Sequence, residues 1–194
     1  MANQKVIRAF AAICLDEEVR NRISDLQARI KDLASDVKWV EPKNFHITLK
    51  FLGDVTPGKL VSVQAALAEV ARKLPAFDLS VTGTGVFPTP RRPRVVWVGT
   101  ETGREQLAAL AGAVEDSLVK VGFEKEEKPF QSHITIGRIR ESKPDPKLIE
   151  GLEDIDDEDL GVQRVGAITL MESVLRSGGP SYTPMSVHEL TALS

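Results

Sequence analysis

One short pattern occurs twice in this chain and constrains its fold more than any other feature. The sequence reads His-Ile-Thr-Leu at 46–49 and His-Ile-Thr-Ile at 133–136. Successive side chains of a β-strand point to opposite faces, so each His shares a face with its Thr while the apolar residues take the other face. Two such strands, anchored by their apolar sides and facing each other, would bring two imidazoles and two hydroxyls into one site.

The spacing of the two copies predicts how the chain is divided. They lie nearly half of the 194 residues apart, which indicates two similar halves related by a pseudo-two-fold axis. A single His-x-Thr is more often a half-buried surface pair, but here two of only three His carry the pattern. The length fits one domain or two closely packed lobes. We therefore expect residues 1–194 to form a single bilobal domain.

The overall charge gives no sign of a nucleic-acid-binding surface. The formal net charge is −3, so any contact with RNA requires a local basic patch. No apolar run is long enough to cross a membrane, and the N-terminus lacks the features of a secretory signal. The single Cys14 cannot form an internal disulfide, which fits a reducing cytoplasm, and its apolar neighbours predict a buried packing residue. We expect a cytoplasmic monomer.

Hydrophobic periodicity predicts three amphipathic helices among about eight strands. Asp16 and Thr56 occupy the N-cap positions of the first two helices. Several strands are joined by connections too short for parallel pairing, so the sheets must be antiparallel. The predicted fold class is therefore α+β, with two pseudo-symmetric lobes that are each an antiparallel sheet with outer helices.

Several local boundaries follow from turn residues and alternation. Residues 83–93 are rich in Gly and Pro, which predicts a loop. The second His strand is expected over 130–139 and a later strand over 165–175, followed by a turn at 177–180. The acidic stretch 143–159 lacks the Gly and the distant Glu of an EF-hand, so we interpret it as a solvated loop with room for one short helix.

The paired motifs suit acid–base chemistry on a phosphate. One neutral and one protonated imidazole can take a proton from the attacking oxygen and give one to the leaving oxygen, each step worth about 10²–10⁴-fold. The Thr hydroxyls can donate hydrogen bonds to phosphate oxygens, where charge accumulates in the transition state. Two His fall short of the three protein ligands that catalytic zinc usually takes, and no dinucleotide or phosphate-loop fingerprint occurs. We therefore expect neither a metal nor a cofactor.

The motifs and their surroundings resemble the 2H phosphoesterase superfamily, in particular the RNA 2′,3′-cyclic phosphodiesterases once called 2′-5′ RNA ligases. The likeness spans nearly the whole chain and includes Arg8-Ala9-Phe10, Trp39 through Phe45, Phe87-Pro88, Pro93 through Trp97, and the second motif with Arg138. It implies two lobes with an open active-site groove between their sheets, and metal-free opening of a terminal 2′,3′-cyclic phosphate to a 2′-phosphate. The substrates it implies are RNA ends that bear this group, or small cyclic nucleotides.

The resemblance also implies a role for each polar residue of the motifs. His46 is the expected proton donor and His133 the expected proton acceptor, with Thr48 and Thr135 on the phosphate. Ser132 precedes the second motif where relatives often have Pro, a departure that leaves these four positions intact.

Arginines are secondary candidates for the site. Arg138 lies five places after His133, so alternation puts it on the opposite face unless a bulge at Gly137 re-aims it toward the phosphate. Arg91 and Arg92 in the predicted loop could supply the local basic patch.

Two other ring-bearing residues are not expected in the site. Phe45 alternates away from the imidazole that follows it, so we expect core packing rather than stacking on a base. His188 has Leu190 rather than Thr two places on, which indicates a residue on the surface of a strand.

Two rival functions would use the same groove. By microscopic reversibility, the groups that open a cyclic phosphate could join RNA ends, so 2′-5′ RNA ligation is one alternative. A non-catalytic nucleotide- or RNA-binding module is the other, although binding needs only hydrogen-bond donors and not two intact His. Turnover of a nucleoside 2′,3′-cyclic phosphate separates an enzyme from a binder, and an added 5′-hydroxyl RNA end tests for ligation.

Overall fold

Strands and helices follow one another along the chain in the computed structural model, which describes residues 6–33, 36–176 and 179–192. The strands are β1 (Ile7–Cys14), β2 (Val37–Trp39), β3 (His46–Val55), β4 (Phe77–Phe87), β5 (Val95–Thr100), β6 (Ile134–Ile139), β7 (Val162–Val165), β8 (Ala167–Arg176) and β9 (Gly179–Glu189). The helices are α1 (Glu17–Lys31), α2 (Pro57–Ala71), α3 (Arg104–Lys120) and α4 (Pro146–Glu153), with a 3₁₀ turn at Pro42–Asn44. The short helix foreseen within the acidic stretch is α4.

The nine strands of the described chain form one curled antiparallel sheet in the order β7-β4-β5-β6-β3-β1-β8-β9, and β2 also pairs with β6. We call β3, β1, β8 and β9 the first lobe, and β2, β6, β5, β4 and β7 the second lobe. The lobes meet where Ile47 of β3 lies opposite Ile134 of β6. The predicted fold class is confirmed, and the two sheets are in addition joined along the strands that carry the His.

The helices cover the outer faces, and α1 and α3 each lie over the lobe that does not contain the strand just before them. In the first lobe α3 packs against β3 and α2 against β8 and β9, while α4 packs against β4 of the second lobe. Helix α1 follows β1 but lies over the second lobe, where Gln27 donates 2.8 Å hydrogen bonds to the carbonyls of Val40 and Ile136. No helix in the described chain is long and apolar enough to cross a membrane.

The apolar members of both motifs fill the core as predicted. Ile47, Ile134 and Ile136 are fully buried, and Leu49 is nearly so. Burying one such side chain is worth about 1.5–3 kcal/mol, which determines the face of each strand that turns inward. The polar members are therefore left on the opposite face, toward the space between the lobes.

The loop predicted over 83–93 is wrong in its first half, because β4 continues to Phe87 and pairs with β5. Gly83, with a φ of +83°, lies in a bulge where the register between these strands shifts. Gly85 makes room for Trp97, whose ring lies 2.5 Å from the place that a Cβ would occupy. The two glycines thus serve a bulge and a close packing contact within a strand rather than a turn.

Two further strand boundaries are wrong. The second His strand, predicted over 130–139, begins only at Ile134. The strand predicted over 165–175 is β8 except at its start, because Val165 ends a separate strand: β7 pairs with β4 in the second lobe and β8 with β1 in the first. Alternation cannot reveal this break, because it carries no information on which strand is the partner. The turn predicted at 177–180 lies partly outside the described residues.

Side-chain surroundings differ from expectation at three positions near the ends of elements. Cys14 is exposed rather than buried, because it ends β1 and shares a face with its cross-strand neighbour His46. Its Sγ lies 3.5 Å from Thr169 Oγ1. Helices α1 and α2 begin where predicted, but neither Asp16 nor Thr56 makes a capping hydrogen bond through its side chain.

Candidate active site

A groove of about 690 Å³ runs between the lobes over the polar faces of β3 and β6. His46, Thr48, His133 and Thr135 all line it, as the alternation of each motif predicts. The 3₁₀ turn before β3 and the hairpin of β8 and β9 contribute its walls. Its basic lining residues are Lys38, Lys43, Arg138 and Arg176.

The two imidazoles are held by the same kind of local hydrogen bond. His46 Nδ1 lies 2.7 Å from the carbonyl of Asn44, and His133 Nδ1 lies 2.8 Å from the carbonyl of Gln131, in each case two residues earlier. A carbonyl oxygen can only accept, so Nδ1 is the donor and Nε2 of the neutral ring is free to accept a proton. Nε2 of His46 also lies 3.1 Å from the hydroxyl of Thr48, which donates to it. Both rings therefore present Nε2 as the nitrogen that can exchange protons.

Burial lowers the pKa of both His below the ordinary value of 6.5. For His46 burial is the largest cause; the carbonyl of Asn44 opposes it, and the charges of Arg138 and His133 lower the pKa further. For His133 burial is again the largest cause, the carbonyl of Gln131 opposes it, and Arg138 lowers the pKa. Both imidazoles are therefore mainly neutral at pH 7 before an anion binds.

Aromatic rings pack around each imidazole. The ring of Phe10 lies 4.8 Å from that of His46, and Tyr182 meets the same imidazole edge-on at 5.1 Å. Phe87 meets His133 edge-on, also at 5.1 Å. Alternation places these aromatic residues on strands, but only the pairing of distant strands brings them to the imidazoles, so sequence reasoning gave them no part in the site.

Arg138 points into the groove because a bulge changes the alternation of β6. Along β5, Val96 lies opposite Gly137 and the next residue lies opposite Thr135, so Ile136 is the extra residue on β6. The bulge was expected at Gly137, and the extra residue is Ile136, one position earlier. The charge of the guanidinium accordingly reaches both imidazoles and lowers both pKa values.

The other two arginines lie elsewhere. Arg91 and Arg92 are exposed in the turn that joins β4 to β5, where the amide of Arg92 donates to the carbonyl of Thr89 at 3.0 Å. Neither side chain lines the groove. A contact between Arg92 and substrate therefore stays a prediction.

The residues not expected in the site also lie outside the groove. Phe45 is buried in the core. His188 is half-buried on β9, with Nε2 at 2.9 Å from Ser186 Oγ. In the acidic stretch, the exposed Asp156 accepts a 2.6 Å hydrogen bond from the amide of Thr84, so part of this solvated stretch is fastened to β4. Within the described ranges, no group of three or more His, Cys, Asp or Glu is placed to hold a metal ion.

One contact that sequence reasoning missed fastens the two walls of the groove. Asn44 Nδ2 donates a 3.0 Å hydrogen bond to the carbonyl of Pro180, which ties the 3₁₀ turn to β9. The two residues are 136 positions apart, so no local sequence pattern predicts the contact. Because the carbonyl of Asn44 also holds His46, this contact links the position of one imidazole to the hairpin.

Comparisons with known proteins agree with this architecture. The sequence profile described as LigT like phosphoesterase matches the chain twice, at residues 13–97 and 98–182. An RNA 2′,3′-cyclic phosphodiesterase of Methanothermobacter thermautotrophicus is 39% identical over 95% of this chain and 99% of its own length. A protein of the same name from Aquifex aeolicus is 38% identical over 92% of this chain and 95% of its own length.

Solved structures share the fold over nearly the whole chain. A crystal structure from Thermus thermophilus matches with a TM-score of 0.82 and 27% identity, covering 96% of this chain and 99% of that one. Escherichia coli LigT complexed with 3′-AMP matches with a TM-score of 0.77 and 26% identity, over the same shares of the two chains. The resemblance drawn from the paired motifs is thereby confirmed. Since both halves carry the sequence pattern and together have the fold, the chain belongs to the LigT-like phosphoesterase family.

Proposed function

We propose that the chain is an RNA 2′,3′-cyclic phosphodiesterase, which hydrolyses the cyclic phosphate of an RNA end or a small cyclic nucleotide to a 2′-phosphate. The observation that carries the proposal is the matched pair of imidazoles in one groove, each with Nδ1 donating to a carbonyl and Nε2 left to exchange protons. Relatives that bear this name share 39% and 38% of their residues with this chain.

The proposed reaction is an in-line displacement at phosphorus. His133 Nε2 takes a proton from water as the water oxygen bonds to phosphorus. The bond from phosphorus to the 3′-oxygen breaks, and His46 Nε2 gives that oxygen a proton, which leaves a 3′-hydroxyl and a 2′-phosphate. The bound phosphate favours the protonated form of His46, because its negative charge opposes burial and Arg138. The division of roles follows the family resemblance.

Hydroxyls and one guanidinium are proposed to hold the non-bridging phosphate oxygens. Thr48 donates to the neutral imidazole of His46 in the ligand-free groove. Once His46 is protonated, its Nε2 no longer accepts, so the Thr48 hydroxyl is free to turn to the phosphate. Thr135 occupies the matching position on β6, and Arg138 adds a charge where negative charge accumulates in the transition state.

The test is turnover of adenosine 2′,3′-cyclic phosphate by the wild type and by His46→Ala and His133→Ala. We expect the wild type to form the 2′-phosphate and each variant to lose about 10²–10⁴-fold in kcat. Full activity in either variant contradicts the paired mechanism. Supplying a 5′-hydroxyl RNA end in the same assay shows whether the reverse, ligating reaction also occurs.

The proposed mechanism runs without a metal, and dialysis against EDTA tests this directly. We expect the rate of the dialysed protein to equal that of the untreated protein. A large loss that added zinc or manganese restores would require a metal in the mechanism.

We also propose that the chain works as a single bilobal domain and a monomer, because one chain supplies both His strands and both walls of the groove. A cytoplasmic setting suits Cys14, its one cysteine, which is exposed beside the groove strand β3. Sedimentation at working concentration tests the monomer, and loss of activity on dilution would contradict it.

A further inference from the structure

Three of the cations that line the groove form a basic end, which the reaction at the cyclic phosphate uses only in part. Lys38 of β2 lies opposite Arg138 of β6. Arg176 of β8 lies opposite Gly179 of β9, where the hairpin borders the groove. The basic end, as we use the term, consists of Lys38, Arg138 and Arg176.

Cations from both lobes meet at the basic end. Lys38 Nζ lies 3.8 Å from the place that a Cβ on Gly179 would occupy, so this side chain of the second lobe reaches the hairpin of the first. The bond from Asn44 to the carbonyl of Pro180 ties the 3₁₀ turn after β2 to the same hairpin. Lys38 and Arg176 are both exposed, so an anion can approach them from solvent.

The charge of the basic end is unbalanced. Among the described residues that line the groove, the only acidic one is Glu41, and Lys43 pairs with it at 2.6 Å. None of the ion pairs in residues 6–33, 36–176 and 179–192 involves the three cations of the basic end. A chain with a net charge of −3 thus has here the local patch that contact with RNA requires.

We propose that Lys38 and Arg176 bind backbone phosphates that precede the terminal nucleotide, so that this groove favours an RNA strand over a free cyclic nucleotide. The inference rests on the proposed function. Arg138 is assigned to the reacting phosphate, and the other two cations line the same groove. A strand that ends in a cyclic phosphate carries further phosphates on its 5′ side, and a positively charged groove can follow such a backbone without reading its sequence.

A different role for the same cations makes a different prediction. If Lys38 and Arg176 act only through the electrostatic potential at the reacting phosphate, their loss lowers kcat/KM by the same factor on a cyclic nucleotide and on a strand. If they bind preceding phosphates, only the strand is affected, because a cyclic nucleotide has no such phosphates.

The experiment compares adenosine 2′,3′-cyclic phosphate with a short oligoribonucleotide that ends in the same group. For Lys38→Ala/Arg176→Ala we expect kcat/KM to fall about tenfold on the strand, roughly threefold for each exposed cation, and to stay within about twofold on the nucleotide. The slope of log kcat/KM against log salt for the strand should become shallower by about 1.4, about 0.7 for each lost contact. The control, Arg72→Ala/Lys120→Ala, removes two exposed cations at the C-terminal ends of α2 and α3 outside the groove and should change kcat/KM on neither substrate.

A binding measurement gives a second readout that does not depend on turnover. Fluorescence anisotropy of the same oligonucleotide on His46→Ala/His133→Ala should show about tenfold weaker binding when Lys38→Ala and Arg176→Ala are added. Equal losses on strand and nucleotide, or no loss on either, overturn the strand-binding role of the basic end. If the wild type leaves both the strand and the cyclic nucleotide intact, the proposed function fails instead.

Discussion

The two imidazoles have the same backbone bond but different surroundings, and this difference sets the expected pH dependence. Activity rises as His133 loses its proton and falls as His46 loses its own, so kcat/KM of the free protein is bell-shaped. Because both pKa values lie below 6.5, the maximum should lie below pH 6.5. A pH profile of kcat/KM on a cyclic nucleotide measures this, and a maximum above pH 7 would contradict the proposed pair.

Arg138 is expected to affect the pH profile of kcat/KM as well as its size. Arg138→Gln removes a charge that lowers both pKa values, so both limbs should move to higher pH. The lost contact with the phosphate should also reduce kcat/KM by about 10–10³-fold. Arg72→Gln, at the exposed end of α2, serves as the control and should leave the profile in place. A rate loss without a shift of the limbs would place the guanidinium too far from the imidazoles.

The hydroxyls of Thr48 and Thr135 can be removed with little change of shape. Thr48→Val and Thr135→Val should each lower kcat/KM by about 10–10³-fold, the range for a lost transition-state hydrogen bond. Stability should barely change, because both side chains face the groove. Steady-state kinetics and thermal unfolding measure the two effects, and full activity in both variants would remove the hydroxyls from the mechanism.

The roles of the two His can be told apart by the leaving group. A general acid matters for a ribose oxygen but little for nitrophenolate, which leaves as a stable anion, whereas the base is needed in both cases. His46→Ala should therefore lose much less activity on a nitrophenyl phosphodiester than on a cyclic phosphate, and His133→Ala should lose a similar factor on both. The reverse pattern would exchange the two assignments.

At the scale of elements, sequence patterns predicted the features that depend on alternation within one strand. They missed the features that depend on which strands lie side by side. The motif residues share a face because a strand alternates, so the four were predictable from sequence. Arg138 changes face through a bulge, and the extra residue, Ile136, has no partner on β5, which is visible only when β5 lies beside β6. Gly85 was expected in a loop for the same reason, since the ring that needs its missing side chain lies on another strand.

Gly85 offers a test of that contact. The Cβ of Gly85→Ala would lie 2.5 Å from the ring of Trp97, which stacks on Phe87, the ring that meets His133. Overpacking of this kind should lower the free energy of unfolding by about 1–3 kcal/mol. The control is Gly112→Ala on α3, where nothing lies near the added Cβ and the helix should gain about 0.5–1 kcal/mol. Urea unfolding measures both, and unchanged stability in Gly85→Ala would mean that the ring moves aside freely.

At the scale of the whole molecule, two helices make the lobes interdependent, because each covers the lobe that does not contain the strand just before it. Helix α1 covers the second lobe and α3 the first, so neither half of the sequence contains a lobe with its own helical cover. We expect one cooperative unfolding transition. Trp39 and Trp97 both lie in the second lobe, so their fluorescence follows that lobe while far-ultraviolet circular dichroism follows both. Coincident midpoints are expected, and separated midpoints would mean that the lobes unfold independently.

The matched bonds of His46 and His133 to the carbonyls two residues earlier have a consequence for regiochemistry. A rotation about the pseudo-two-fold axis exchanges one imidazole for the other, so a cyclic phosphate turned around in the groove still meets an acid and a base. The imidazoles alone therefore do not decide which ester bond breaks. That choice belongs to features without a symmetric counterpart, and a strand held by its 5′ side in the basic end has one orientation only. Opening of the cyclic phosphate should accordingly give a smaller share of the minor isomer, the 3′-phosphate, from strands than from single nucleotides.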